Sequence, residues 1–387
     1  MTEFINTGFS LVRGGPMHRL LQRLRLLDDD ELPGARVALT LACIAWLPLV
    51  LFALAHPRPW STAYASNVLV DAGAYARYLI AIPVLVIVDR SAHWRLNRLL
   101  GQFVETGIIA RDSRTRFDRA LVRADRWTGS TGAEAIMLLL AYALSAVTMT
   151  LWTSLDSQLW FAGHLAGLSL AGWWAVLLST PLHFFLTLRW LWRLFVWAWL
   201  LTSISGLPLH LIPTHPDRVG GLGFLTLFPM IFVPLIFALS AVVAASALQQ
   251  ILFGQISSES VRGLAGIWSA VVGLLFIGPL CVFSRTLMRL RETALLEYGE
   301  LVARFHRRTL QSMLEHEGDG RLADSEALSA MPDLAHASDT VRSIRLVPIE
   351  LWTLIPVAIA ALAPMLAIAT VDVPLRELMK RLLGALL

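Results

Sequence analysis

The chain is predicted to be an all-α, polytopic membrane protein with six transmembrane helices, a seventh apolar segment and a helical cytoplasmic layer. Three observations carry this. Of 387 residues 56% are hydrophobic and only 16% charged, and the mean hydropathy of +0.63 is too high for a water-soluble globule. Windows of about 20 residues with one charge or none recur along the chain, each long enough to cross roughly 30 Å of hydrocarbon. The basic residues, nearly all arginine, fall in alternate connecting segments: five in the first 36 residues, nine in 89–131, three in 189–221 and nine in 285–345, together 26 of 32. That alternation puts the N-terminus and those segments in the cytoplasm.

Residues 1–34 form the cytoplasmic lead. In "MHRLLQRLRLL", Met17, Leu20, Leu21, Leu24 and Leu27 share one helical face opposite Arg19 and Arg23, as in a helix lying in the membrane interface or packed on the protein. The acidic run Asp28–Glu31 follows, and no cleavage site follows the first apolar window, which reads as a retained span. Spans one and two occupy 35–56 and 66–88. Segment 89–131 places Trp94, Leu99, Leu100, Phe103 and Val104, then Phe117, Leu121 and Ala124, at helical spacing, predicting two short amphipathic helices. Spans three to six fall at 132–154, 167–188, 222–251 and 263–285, with a cytoplasmic loop over 189–221.

The sixth span is expected to continue as a helix through 285–317, about 50 Å at helical rise. Its stripe of Leu287, Leu290, Ala294, Leu301 and Phe305 should pack on the 94–124 helices or on a second copy, so a homo-oligomer is one expected partner. "GDGRLADSEALSAMPDLAHASD" then reads as a linker or disordered loop within 286–345. Residues 346–371 are long enough for a full span, although Pro356 and Pro364 allow a re-entrant hairpin instead. The amphipathic tail 372–387 ends the chain. No internal repeat is evident.

Several chemistries are absent from the sequence. The sole lysine, Lys380, lies past the last span, which excludes a retinal Schiff base. Cys43 and Cys281 both sit in spans, which supports neither a disulfide framework nor a thiolate zinc site. Nucleotide-binding, serine-hydrolase and metalloprotease motifs are missing, so no cofactor, no metal and no catalytic residue is assigned. The arginines flank apolar spans, where they serve orientation and anionic lipid headgroups rather than nucleic acid.

Two constellations remain. Arg77 lies twelve residues before Asp89, at a depth where an unpaired charge costs several kcal/mol. It either lines a polar cavity, binding an anion or a carboxylate from another helix, or snorkels to the headgroups. Asp71 is six residues away on the same span, hence expected on a different face. His183, just after Pro181, offers a proton relay or a neutral hydrogen bond to a carbonyl freed by the proline. The second constellation is "THPDRVGGLGFL". There Asp217 is placed to cap a helix beginning near Arg218, and Gly220, Gly221 and Gly223 permit a tight backbone approach. With His215 and Arg218 this loop would suit a phosphate, a lipid headgroup or another small anion. The same stretch resembles a loop of multi-pass bacterial inner-membrane proteins of uncharacterised function. The resemblance implies a bacterial inner membrane and transfers no residue role.

The function expected from these features is a channel or transporter for a small ion or solute, with an anion as one candidate cargo. Arg77 would be its polar centre and 215–223 its gate or anion site. The alternative is a non-transporting scaffold or sensor that binds a protein partner or anionic lipid through its arginine-rich helices.

Overall fold

In the computed structural model of this chain, the described residues are 16–23, 34–55, 68–155, 168–252, 258–315 and 325–369. They form helices joined by short turns, as an all-α membrane protein requires. The acidic run Asp28–Glu31, Arg58, and the tail with Arg376, Lys380 and Arg381 lie outside them. Among the described residues six helices are long and apolar enough to cross a bilayer, and the bent pair Ser260–Phe276 and Gly278–Arg308 makes a seventh if counted as one span.

The straight spans begin with Ala35–Ala55, Ala72–Glu105 and Thr131–Leu155. Leu170–Ser205, Leu222–Ile251 and Leu351–Ala369 complete them. They are not equivalent. Half or more of the second, fourth and fifth spans is buried inside the protein, against a third or less of the first, third and last. The inner three therefore make the core, and the outer ones turn leucine and isoleucine outward: Leu39, Leu47 and Leu51 on the first, Ile136, Leu139 and Leu151 on the third, Ile355 and Ile359 on the last. Apolar side chains exposed along the outward faces of these helices suit a lipid solvent.

The second and fourth spans outrun the bilayer. Their helices continue to Glu105 and Ser205, so 89–131 is not two short helices. Its first half prolongs the second span, and only Arg114–Thr128 is separate. Four residues beyond each end, Ile109 and Leu209 form an antiparallel bridge, and the His210 N–H donates to Ile108 O at 2.8 Å. The arginine-rich segments after the second, fourth and sixth spans thus meet at one end of the bundle.

The sixth span, expected to run on as one helix, is broken. Gly278 and Pro279 end Ser258–Phe276, a 3₁₀ stretch Gly278–Phe283 follows, and the chain bends by 50° before Ser284–Glu315. Proline lacks the N–H that an unbroken helix would use and glycine is a poor helix former, so the pair is a breaker. The last span, by contrast, is one helix through Pro356 and Pro364 and not a hairpin. Residues Ser325–Arg342, expected as linker, are helical. Val341 and, just past that helix, Ile344 cover Ala294. Leu287 is also buried and Leu290 touches the 207–223 loop, whereas Leu301 is half exposed. The stripe is therefore covered at Leu287, in one core with Leu100 and Phe103 of the 94–124 segment, and at Ala294 by Val341 and Ile344, while Leu301 stays exposed.

Candidate functional site

The second and fourth spans start with the same local device. Asp71 caps the second, its Oδ1 accepting the Ala74 N–H at 2.9 Å; Ser169 caps the fourth, its Oγ accepting the Gly172 N–H at 3.0 Å. One short α segment leads into a π-helical turn, Ala76–Ala81 in one and Ala175–Ser179 in the other. Proline stands twelve residues after each cap, at Pro83 and Pro181. A π turn widens the helix and redirects its side chains, and such turns concentrate at functional sites. The repeated device escaped the sequence analysis because the two stretches share almost no residue except that proline.

Between these turns and the third and fifth spans lies a cavity of about 220 Å³. Arg77, Tyr78, Thr180 and His183 line it from the second and fourth spans, Ser145 and Thr148 from the third, and Ser246 and Gln249 from the fifth. Asp71 closes the ring. Arg77 Nη2 lies 3.6 Å from Asp71 Oδ2, both side chains being largely enclosed. The expectation that these residues face different ways is corrected. Asp71 is not on the helix but on its extended cap, φ −76° and ψ 94°, so its carboxylate folds over the first turn, and the π turn swings Arg77 beneath it. Gly73 makes room: a Cβ there would stand 3.0 Å from Asp71 Oδ1 and Gln249 Oε1 and 3.2 Å from Arg77 Nη1.

Tyr78 and Thr180 exchange a hydroxyl hydrogen bond at 2.9 Å, joining the second and fourth spans across the cavity. Two nitrogens in its lining are buried without a hydrogen-bond partner, Arg77 Nε and His183 Nδ1. The carbonyl of Leu177, freed by Pro181, is taken not by His183 but by the Tyr142 hydroxyl at 3.1 Å.

The 215–223 loop is built differently. Asp217 Oδ1 accepts the N–H groups of Val219 at 2.9 Å and Gly221 at 3.2 Å, and Oδ2 accepts that of Gly223 at 2.8 Å. His215 Nδ1 lies 2.9 Å from Oδ1. Burial opposes ionisation of Asp217, but the three backbone donors and His215 outweigh it and hold the carboxyl below its ordinary value. The donors that the sequence offers to an external anion are thus occupied by the loop's own carboxylate. The expected helix near Arg218 does not form: a 3₁₀ helix starts at Leu222 behind Gly221, and Asp217 reaches it only through the Gly223 N–H.

Gly220 and Gly221 hold positive φ, 68° and 99°, and so does Arg218 at 58°. Arg345 straps the loop: its backbone N–H donates to Arg218 O at 2.8 Å, and its Nη2 to Asp217 O and Glu350 Oε1, both at 3.0 Å. With Ile212 bonded to Gly220 O and His210 to Ile108 O, the loop is a hub that pins the span ends together.

One buried group went unrecognised in the sequence. Arg193 pairs with Asp89 of the second span, and Arg189 Nε lies 3.8 Å from Glu134 Oε1 at the start of the third. The Met17 N–H donates to the other Glu134 oxygen at 3.0 Å, and Trp190 Nε1 to Leu85 O at 2.7 Å. Two cations and two anions balance, which is the condition under which charges tolerate burial. The available signal was Arg189 and Arg193 at i and i+4 within a tryptophan-rich span, with acids at the ends of the neighbouring spans.

No group of three or more metal-ligating side chains occurs among the described residues. No protein-family model, curated protein or solved structure matches the chain.

Proposed function

We propose that this protein is a membrane channel or transporter whose cavity takes a small solute bearing a carboxylate or comparable anionic group. The observation that carries the reading is the pair of unsatisfied nitrogens, Arg77 Nε and His183 Nδ1, buried in the lining of one cavity. Buried polar atoms are nearly always hydrogen-bonded, so a pair left open in one cavity marks a place for a guest. Asp71 Oδ2 stands 3.6 Å from Arg77 Nη2, beyond hydrogen-bond distance, and Arg77 Nε is left without an acceptor. Thr180, Ser246 and Gln249 supply neutral hydrogen bonds, and about 220 Å³ holds a guest of only a few heavy atoms. Inner spans whose helical ladder is perturbed beside a polar cavity, here by π turns, are a common build of functional sites. Transporter solute sites carry the interruption further, into fully broken helices. The arginine distribution supports a cytoplasmic N-terminus, and the THPDRVGGLGFL resemblance supports a bacterial inner membrane.

Purified protein reconstituted into liposomes should accelerate uptake of labelled acetate or another small carboxylate, and Arg77→Ala should abolish it. Uptake no faster than in protein-free liposomes across mono- and dicarboxylates and chloride would favour the second reading, a scaffold or sensor. That reading draws support from the 215–223 loop, whose internal bonding suits a fixed hub better than a gate.

A further inference from the structure

At the arginine-rich end, on the outer surface of the third and fourth spans, two cavities share a wall. One is a cleft of about 290 Å³ formed by Arg116, Arg119 and Arg123 of the Arg114–Thr128 helix with Trp199 and Ser203 of the fourth span. The other is a groove of about 740 Å³ between the third and fourth spans, lined by Ile136, Leu140, Leu188, Leu191 and Phe195. Trp127 lines the groove and Trp199 the cleft, and their rings lie 4.6 Å apart, so the apolar floor of one runs into the basic wall of the other.

The helical period explains the segregation. Arg116, Arg119, Arg123 and Trp127 fall within about 80° of arc on their helix, while Asp118 and Asp125 lie on the opposite side. Asp118 is engaged by Arg114 at 3.2 Å. None of the three cleft arginines makes an ion pair among the described residues; Arg119 Nε bonds to the carbonyl of Thr115, and Arg123 lies over the Trp199 ring at 5.8 Å. On the fourth span Leu188, Trp192, Phe195, Trp199 and Ser203 follow one another at three- and four-residue steps, apolar toward the groove and hydroxylic at the cleft.

We infer that this paired cleft and groove is a binding site for an anionic glycerophospholipid of the adjacent leaflet. Its phosphate sits among Arg116, Arg119 and Arg123, with an acyl chain along the third and fourth spans. Charge complementarity selects an anion, because three cations converge with no carboxylate among them. The contiguous groove selects an anion that carries a chain, since a soluble phosphate has no use for exposed Ile136 and Phe195. The tryptophans lie where ring-bearing residues mark headgroup depth. This site is separate from the Arg77 cavity and holds whether the protein transports or scaffolds.

Delipidated full-length protein in detergent, titrated with short-chain phosphatidylglycerol and phosphatidylcholine under native mass spectrometry, tests the inference. Phosphatidylglycerol should bind about tenfold tighter or better, given what each arginine at a membrane surface contributes. The triple variant Arg116→Gln, Arg119→Gln, Arg123→Gln should lose that preference while still binding both lipids weakly. Leu140→Trp, which fills the groove and leaves the arginines intact, should weaken both lipids alike. These surface changes leave the core untouched, and unchanged acetate uptake or melting temperature would confirm folded protein. Equal binding of the two lipids by wild type, or an undiminished preference in the triple variant, would overturn the inference. So would full competition by glycerol phosphate at the same concentration as the lipid, which would make this a site for free anions.

Discussion

At the scale of single residues, Gly73 and Asp217 show two uses of close approach. Gly73 lets Asp71, Arg77 and Gln249 converge, and a Cβ there would press on the ends of all three side chains. Those ends can yield, and alanine gains about 1 kcal/mol of helix propensity over glycine. Gly73→Ala should therefore leave the melting temperature within a few degrees of wild type while removing solute uptake. A variant that keeps uptake would show that the three side chains need not meet for function. Asp217 is the stability counterpart. Replacing its carboxylate by Asn withdraws a charged acceptor from three backbone N–H groups and should cost about 2 kcal/mol at neutral pH. The folded-state pKa is depressed, so this stabilisation is complete above the ordinary aspartate value of about 4 and is lost as pH falls through the lower folded value. In thermal unfolding of detergent-solubilised protein, the gap between wild type and Asp217→Asn should be present at neutral pH and close below about pH 4.

At the scale of elements, the recurring problem is a proline inside a span, which strands a carbonyl where no water can reach it. The structure answers with side chains from the neighbouring span. Pro48 would leave Ile44 O unbonded, and Trp174 Nε1 donates to it at 3.2 Å. Pro181 withholds its N–H from the preceding turn, and the hydroxyls of Tyr142 and Ser145 reach Leu177 O and Val176 O, each at 3.1 Å. Backbone groups in hydrocarbon must be satisfied within the protein, so these hydroxyls are structural. Tyr142→Phe should destabilise by about 1 kcal/mol. In the Pro181→Ala background, where a backbone N–H is restored, the same change should cost close to nothing; equal costs in both backgrounds would sink the account. The spans themselves were legible in the sequence because hydropathy sums over neighbours in the chain. The exit lengths were not: nothing local distinguishes a helix that stops at the headgroups from one that runs to Glu105 or Ser205 because it packs on a partner. The Arg77 cavity was half legible. A charge at depth announced itself, but the π turn that sets it under Asp71 has no residue signature. The pairings of Arg189 with Glu134 and Arg193 with Asp89 join residues 55 and 104 positions apart, beyond any periodicity.

At the scale of the whole molecule, the polar groups divide between two ends with different duties. Toward the arginine-rich end the core is filled. Trp197 stacks on Phe228 at 5.3 Å, Phe232 meets Trp190 and Phe276, and the Arg189, Arg193, Asp89 and Glu134 group ties the second, third and fourth spans to the N-terminal helix. The 207–223 hub and the Arg345 strap lock the same end from outside. The cavity lies near the opposite end, where the second and fourth spans begin. If the arginine-rich end faces the cytoplasm, as proposed above, this division predicts a cavity reached from the far face and closed toward the cytoplasm. Accessibility tests this directly. Cys43 and Cys281 are unpaired and exposed, so both are first replaced by serine. In that background, a membrane-impermeant thiol reagent should label Arg119→Cys in inverted vesicles and not in right-side-out ones. Ser246→Cys, in the cavity wall, should be labelled only in right-side-out vesicles, and a saturating small carboxylate should slow the reaction. The reverse pattern would invert the topology and move the cavity to the cytoplasmic face. Labelling of Ser246→Cys from both faces at similar rates would mean that the aromatic layer and the buried charges do not seal the core, and the bundle would then conduct as an open channel.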